Sequence, residues 1–309
     1  MNAPAVSVIV PVHNGGALLR QTLASALGQS LGNIEVIAVD DGSTDDSLAL
    51  LDSIALADSR LHIFSQHRAG PSAARNAGAR LARAPLLAFL DADDLWHPEK
   101  LARHAALHQA RPEVAASFAR VAFLPAEAAS MAAAHTFSHL PRCPLRVIDV
   151  INENPACTTS NMVVTRRWFQ ACHGFDEIMS HAEDKDLLAR ILRAGGLVQP
   201  LEAVLVGYRL SPQGLSLDLE GMLHGWRELA RRFLSPREMA ASEAVYRRFL
   251  ARRALRGDIG RWVALRHVAA GLACHAPSFL NPPRRALPTI GGALLAPCMP
   301  VHMRRRLFA

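Results

Sequence analysis

Over the first 110 residues, short β-branched runs alternate with stretches whose apolar residues recur every three or four positions. Val6–Val12 (VSVIVPV) and residues 34–39 (IEVIAV), 61–64 and 86–90 predict buried strands. Leu18–Leu27 and residues 47–54, 73–83 and 98–110 predict helices, the last opened by a proline. This alternation implies βαβ units and a mostly parallel central sheet flanked by helices, an α/β fold. Ligands in such sheets lie beyond the carboxyl ends of the strands. After residue 120 the pattern loosens through an Ala-rich stretch (126–135) and a Pro-broken one (141–155). Residues 160–165 and 204–208 read as strands and 184–194 as a helix. From about 219 the spacing is helical, up to a Pro/Gly-rich end beginning at 277.

Half of the 309 residues are apolar and mean hydropathy is slightly positive, which excludes a disordered chain. The five cysteines are scattered without a C-x-x-C pair, so neither a disulfide framework nor a structural zinc site is expected. The first residues, MNAPAVSVIVPV, lack a basic n-region and an A-x-A cleavage site, and the expected compartment is the cytoplasm. Charge divides the chain. Residues 220–309 hold 16 arginines against 5 acids, whereas the remainder holds 18 Lys+Arg against 22 acids. Two regions are expected, 1–218 and a basic helical 219–309.

The polar residues of the first region fall at the predicted strand ends. Asp91-Ala92-Asp93-Asp94 follows an apolar strand. Crowded carboxylates raise one another's pKa unless a cation neutralises them, and Mg²⁺ or Mn²⁺ takes one or two carboxylates with phosphate oxygens completing its shell. Acids also suit a helix N-terminus, the ordinary structural reading of the same run. Asp40-Asp41-Gly42-Ser43 ends another strand; it is suited to a nucleobase N–H or a ribose hydroxyl, or simply to capping the next helix. Arg75 and Asn76 sit in the first turns of a helix, where they either reach a ligand above the strand ends or belong to a solvated helix face. Glu183-Asp184 open another helix; acids are common in a first turn, and the functional alternative is a carboxylate general base over the same cleft. P-loop, G-x-G-x-x-G, H-E-x-x-H and G-x-S-x-G signatures are absent from the sequence.

The succession VSVIVPVHN, IEVIAVDDGSTDDS, GPSAARNAGARLA, LLAFLDADDLWHPEKL, TSNMVV, GFDE and HAEDKDLLARILRAGG, across about residues 5–210, resembles the inverting glycosyltransferases of family 2. The resemblance implies the GT-A fold and transfer of a sugar from a nucleotide-sugar, with UDP the expected carrier and GDP or dTDP the alternatives. It implies that Pro11 and His13 line the base, that Asp41 recognises it beside Asp40, and that Asp91 lies nearer the ribose. Arg75 is a candidate nucleotide-sugar contact. Asp93 is implied as ligand of a Mn²⁺ or Mg²⁺ ion, Asp184 as general base, Glu183 as acceptor holder and Asp176 as part of the acceptor side. Relatives carry Y-R-x-H where this chain has Tyr208-Arg209-Leu210-Ser211, so the histidine is missing and Arg209 becomes a candidate for the phosphates. The expected acceptor is a saccharide, a lipid-linked or a protein hydroxyl, in polysaccharide or other cell-envelope glycoconjugate synthesis.

Three other readings compete. A sugar-phosphate nucleotidyltransferase needs a basic loop after the first strand, and residues 11–19 hold no Lys or Arg. A non-catalytic nucleotide-sugar-binding homologue has no need of the retained Asp93 and Asp184. Nucleic-acid binding by the basic region lacks the interleaved aromatics that would stack on bases. For residues 219–309 the expectation is either a helical cap or a region resting on the inner face of the plasma membrane. The latter draws on the nearly uncharged stretch 286–303 that meets Arg304-Arg305-Arg306.

Overall fold

A computed structural model describes residues 3–141, 143–210, 217–257, 259–260, 262–300 and 303–304. The chain forms two units, Met1–Arg146 with Pro155–Leu210, and Val147–Asn154 with Ser211–Ala309. The sequence pattern placed the division at 218. The Pro-broken stretch 141–155 gave no sign that its end belongs with the C-terminal helices.

The first unit is built as β1 (Val6–Val12), α1 (Leu18–Leu27), β2 (Ile34–Asp41), α2 (Ser47–Ala57), β3 (Leu61–Gln66), α3 (Pro71–Leu81), β4 (Leu86–Phe89), β5 (Leu95–Trp96), α4 (Lys100–Ala110), β6 (Val114–Pro125) and β7 (Thr136–Phe137). After the α5 segment of the other unit come β8 (Val163–Thr165), α6 (Arg166–Ala171), α7 (Glu183–Arg193) and β9 (Leu197–Leu210). One sheet runs β3-β2-β1-β4-β8-β6-β9-β5, with β7 paired to β6. It is parallel from β3 to β4 and mixed beyond, where β8 runs antiparallel to both β4 and β6. Val6, Val8, Val10 and Val12 pack with Leu19, Leu23, Leu51 and Ala88 in the core.

The predicted strands and helices of the first 110 residues are present, with ends moved by a few residues. β6 is the element the sequence hid. Its core, VAASFARVAFL, is rich in alanine, which fits a strand poorly in isolation, yet it lies between β8 and β9 with nearly every residue buried. α3 sits flat on the sheet because its inner face is small: a Cβ on Gly78 would come within 2.6 Å of Ile9. Gly70, at φ +94°, supplies the turn into that helix.

The second unit comprises α5 (Val147–Asn152), α8 (Leu219–Phe233), α9 (Pro236–Gly257), α10 (Val263–Leu280) and α11 (Pro283–Leu295). Buried Trp226 stacks on Tyr246 at 5.2 Å and donates its indole N–H to the Ile151 carbonyl, while Arg285 pairs with Glu153 at 2.5 Å. These contacts bind α5 to the C-terminal helices. α11 lies in the Pro/Gly-rich end that carried no helical expectation; prolines at its first turn and at Pro288 masked it.

A buried polar line runs from α4 to β6. Lys100 is fully buried, lies 4.9 Å from the Trp96 ring centre, donates to the Asn161 carbonyl and sits 3.4 Å from His104 Nε2. His104 Nδ1 and His108 Nε2 both meet the Ser117 hydroxyl, at 2.7 and 2.9 Å. Burial pushes the Lys100 amine down to about 7 and holds both imidazoles below their usual range. Between about pH 7 and 10.5 the unfolded chain therefore keeps a proton on Lys100 that the folded chain has lost, and folding stability rises with pH. Lys100→Met is expected to be the more stable protein at pH 7, with the advantage shrinking towards pH 9.5, at about 1.4 kcal/mol per pH unit. Urea unfolding of both proteins across that range checks this, and a pH-independent difference would contradict it.

Candidate active site

The carboxyl end of β4 leads into Asp91-Ala92-Asp93-Asp94, and the surrounding elements fix that loop from four sides. The Asp91 N–H donates to Ser160 Oγ. Thr22 of α1 donates to the carbonyls of Ala92 and Asp94. The Arg209 amide of β9 donates to Asp94 Oδ1, and its guanidinium donates to the Asp93 carbonyl. From α3, Arg75 donates to Asp91 Oδ1 at 2.6 Å and, through its other terminal nitrogen, to Glu183 Oε1 at 3.0 Å. Glu183 and Asp184 are the first residues of α7. One guanidinium thus joins the D-x-D loop to the start of the helix bearing the Glu-Asp pair.

The electrostatics follow from this crowding. Burial opposes the Arg75 charge, but Asp91 and Glu183 outweigh it and raise its pKa further. Burial pushes Glu183 up to about 7, with Arg75 opposing and the neighbouring Asp184 adding to the rise. Burial and the charge of Asp91 push Asp93 up to about 6, and burial together with Asp93 and Asp91 drives Asp94 well above the carboxylate range.

A divalent cation fits this donor set through one protein carboxylate. The described residues form no group of three or more acidic, His or Cys side chains able to cage a metal. Asp91 is engaged by Arg75, and Asp94, fully buried, receives the Arg209 amide. Asp93 differs: its carboxylate is partly exposed, and no side chain among the described residues hydrogen-bonds it. A hard cation held by one carboxylate and by substrate oxygens matches that vacancy of partners, and its charge would reverse the raised pKa of Asp93. Ser211, where relatives carry the histidine, lies outside the described residues.

The nucleotide-side candidates occupy the ends of β1 and β2. Pro11 lies within β1, and His13 Nδ1 sits 3.1 Å from the Asp41 carbonyl. Asp40 accepts the Ser43 amide at 3.3 Å. Asp41 is nearly fully buried and accepts from Gln66 Nε2 and the Ala69 N–H on Oδ1 and from the Gly70 N–H on Oδ2, each at 2.8 Å. A carboxylate offers about four lone-pair positions, so one on Oδ2 is left for a ligand N–H. The same carboxylate anchors the start of α3, five residues before Arg75.

Arg209 is buried, with Nε and both terminal nitrogens donating to Ala128 O, Asp93 O and Gln21 Oε1. That leaves two of its five N–H groups for a phosphate. Asp184 is buried and accepts the Lys185 N–H; Asp176 accepts the Ile178 N–H in a turn. Asn76 holds the loop that carries Asp176, exchanging hydrogen bonds with the Phe175 backbone and donating to Glu177. The part that Thr158, Ser160 and Asn76 play around the site was not legible in detail. Ser160 and Asn76 lie in TSNMVV and GPSAARNAGARLA, two of the stretches that carry the family resemblance, whereas Thr158 precedes the first of them and carried no signal.

A family model described as glycosyl transferase family 2 matches residues 7–172. The chain belongs to glycosyl transferase family 2. A Haemophilus influenzae protein named an uncharacterized glycosyltransferase is 43% identical over 102 residues, which are 33% of this chain and 41% of that protein. The succinoglycan biosynthesis protein ExoU of Rhizobium meliloti is 28% identical over 94% of this chain and 87% of its own. The chain spans less than half the length of the first curated relatives it matches, 41% and 16% for proteins of H. influenzae and Rickettsia felis. Among solved structures, the Pyrobaculum calidifontis mannosyltransferase PcManGT, in complex with GDP-Man and Mn²⁺, is similar over 99% of this chain and 88% of its own, with TM-score 0.57 and 19% identity. Staphylococcus aureus TarS 1–349 with UDP-GlcNAc gives TM-score 0.54 and 17% identity over 94% of this chain and 81% of its own. The fold is GT-A. The matched stretch of this family 2 chain holds Asp41, Arg75, Asp91 and Asp93 and stops short of Glu183, Asp184 and Arg209; Arg75 hydrogen-bonds Glu183 directly from within it.

Removing the guanidinium leaves two carboxylates, Asp91 and Glu183, without their shared counter-charge. Arg75→Met is expected to cost about 3–5 kcal/mol of folding stability at pH 8. Without Arg75 the folded-state pKa of Glu183 climbs further above its unfolded value, so stability falls as pH rises and the deficit is smaller at pH 5.5. Urea titrations at the two pH values check both the size and the sign.

Proposed function

We propose that the protein transfers a sugar from a nucleotide-sugar to an acceptor hydroxyl with inversion at the anomeric carbon. The observation that carries this is the Arg75 bridge, which holds the D-x-D loop and the Glu183-Asp184 pair at one place. The donor's base occupies the ends of β1 and β2, where Asp41 keeps one acceptor position and Pro11 and His13 flank it. Its diphosphate lies at the Asp91–Asp94 loop, with Arg209 behind the loop. Neighbours solved with UDP-GlcNAc or with GDP-Man and Mn²⁺ support a nucleotide-sugar donor, and UDP is the carrier proposed here.

Asp93 would hold a divalent cation, Mn²⁺ or Mg²⁺, which supplies neutralisation of the departing diphosphate. Asp184 removes the proton of an acceptor hydroxyl held with the help of Glu183 and Asp176. The oxygen attacks the anomeric carbon from the side opposite the leaving group, so one in-line displacement forms the glycosidic bond and breaks the bond from that carbon to the diphosphate oxygen, releasing the nucleoside diphosphate. Glu183, pushed up to about 7 and tied to Arg75, keeps its oxygens directed and leaves Asp184 as the base. Relatives named for succinoglycan and teichuronic acid biosynthesis support a saccharide acceptor in envelope polysaccharide assembly.

A panel of UDP-, GDP- and dTDP-sugars, assayed for nucleotide release with Mn²⁺, tests the activity. Asp93→Asn and chelation are each expected to abolish turnover, and full activity of either in excess chelator would overturn the metal's role. Asp184→Asn is expected to keep donor affinity while turnover falls roughly 10²-fold or more. If donor affinity drops and turnover survives, the base lies elsewhere, with Glu183 the first substitute.

A further inference from the structure

The helix α11 is packed inside out. Its buried residues are Ala286, Thr289, Gly292 and Ala293, all small. Its three leucines face solvent, Leu287, Leu294 and Leu295 being 62%, 59% and 60% exposed, while Ile290 is half-buried. At 100° per residue these three leucines, with Arg284, Pro288 and Gly291, fall on one face, opposite Ala286 and Ala293. A surface helix of a globular unit ordinarily turns its leucines to the core. Here the core is closed by small residues, and the leucines are left for something else.

We propose that this face of α11 rests in the surface of an anionic lipid bilayer. Thirteen residues make a helix about 20 Å long, short of the roughly 30 Å hydrocarbon core, and Pro288 interrupts its hydrogen bonding. Among the described residues no helix is long and apolar enough to cross a membrane. A short helix with one apolar face lies along the interface. Charge selects the lipid. Residues 220–309 carry 16 arginines and 5 acids, Arg284 stands on the leucine face itself, and Arg231, Arg232, Arg237 and Arg256 of the same unit are exposed. A second copy of the chain would bring an equal positive charge. Three leucines on a 20 Å helix also fall well short of the roughly 800 Å² per partner of a stable protein interface. Arg305 and Arg306, which continue the basic character, lie outside the described residues. The proposal stands apart from the sugar-transfer reading, since its test reads lipid binding alone.

Flotation of the full chain tests it, with vesicles of phosphatidylcholine alone or with 30% phosphatidylglycerol, at about 50 and 500 mM salt. The native chain is expected to float with the anionic vesicles at low salt, and at least tenfold less with neutral vesicles or at high salt. The L287E/L294E/L295E variant, altered only at exposed positions, is expected to lose at least tenfold at low salt while keeping its circular dichroism and Tm. Should that variant lose its fold, L294Q alone is expected to lower flotation measurably with Tm unchanged. A native chain that stays unbound on anionic vesicles overturns the proposal, as does a folded leucine variant that floats like the native chain. So does a native dimer in light scattering that the leucine variant converts to monomer without any change in flotation.

Discussion

Arg75 and its two carboxylates are the interaction on which the arrangement of the site depends. The helix that carries Arg75 is held at its start by Asp41 through the Ala69 and Gly70 amides, and pressed against β1 at Gly78. Its guanidinium then reaches Asp91 after β4 and Glu183 at the head of α7. Three separate stretches, at the ends of β2 and β4 and the start of α7, are thereby tied to one helix. A point charge such as lysine could satisfy one of these carboxylates; the planar fork of arginine satisfies both.

The second constraint is the excess of negative charge that this arrangement gathers. Asp91, Asp93, Asp94, Glu183 and Asp184 gather around two buried guanidinia, those of Arg75 and Arg209, each of which donates to protein oxygens. Asp94 and Glu183 relieve the strain by binding protons more tightly than carboxylates usually do. Asp93 is left raised and partly exposed, with no side-chain hydrogen bond among the described residues, the position at which an added cation gains most. The buried line of Lys100, His104 and His108 around Ser117 is the opposite case, basic groups whose charged forms burial disfavours.

Much of the first unit was legible because its βα units are local. Each strand is a short β-branched run, each helix has a 3.6-residue period, and polar residues at the strand ends mark where a ligand lies. The contacts that make the site were not legible. Arg75 reaches a partner 16 residues away and another 108 away, and in isolation it reads as an exposed helical residue. Ala-rich β6 was hidden by its composition, since its strand form comes from neighbours on both sides. The attachment of α5 to the second unit depends on Trp226 and Arg285, far along the chain. α11 escaped notice because its prolines resemble a helix end and its inward face holds residues that carry little hydrophobic signal.

The most direct test of the account is a crystal structure with Mn²⁺ and an unreactive nucleotide-sugar analogue, read by anomalous scattering. The account predicts an anomalous peak beside the Asp93 carboxylate, diphosphate oxygens on the same ion, and the anomeric carbon facing Asp184 across the Arg75 bridge. A metal peak away from the Asp91–Asp94 loop, or a sugar directed away from the start of α7, would contradict it.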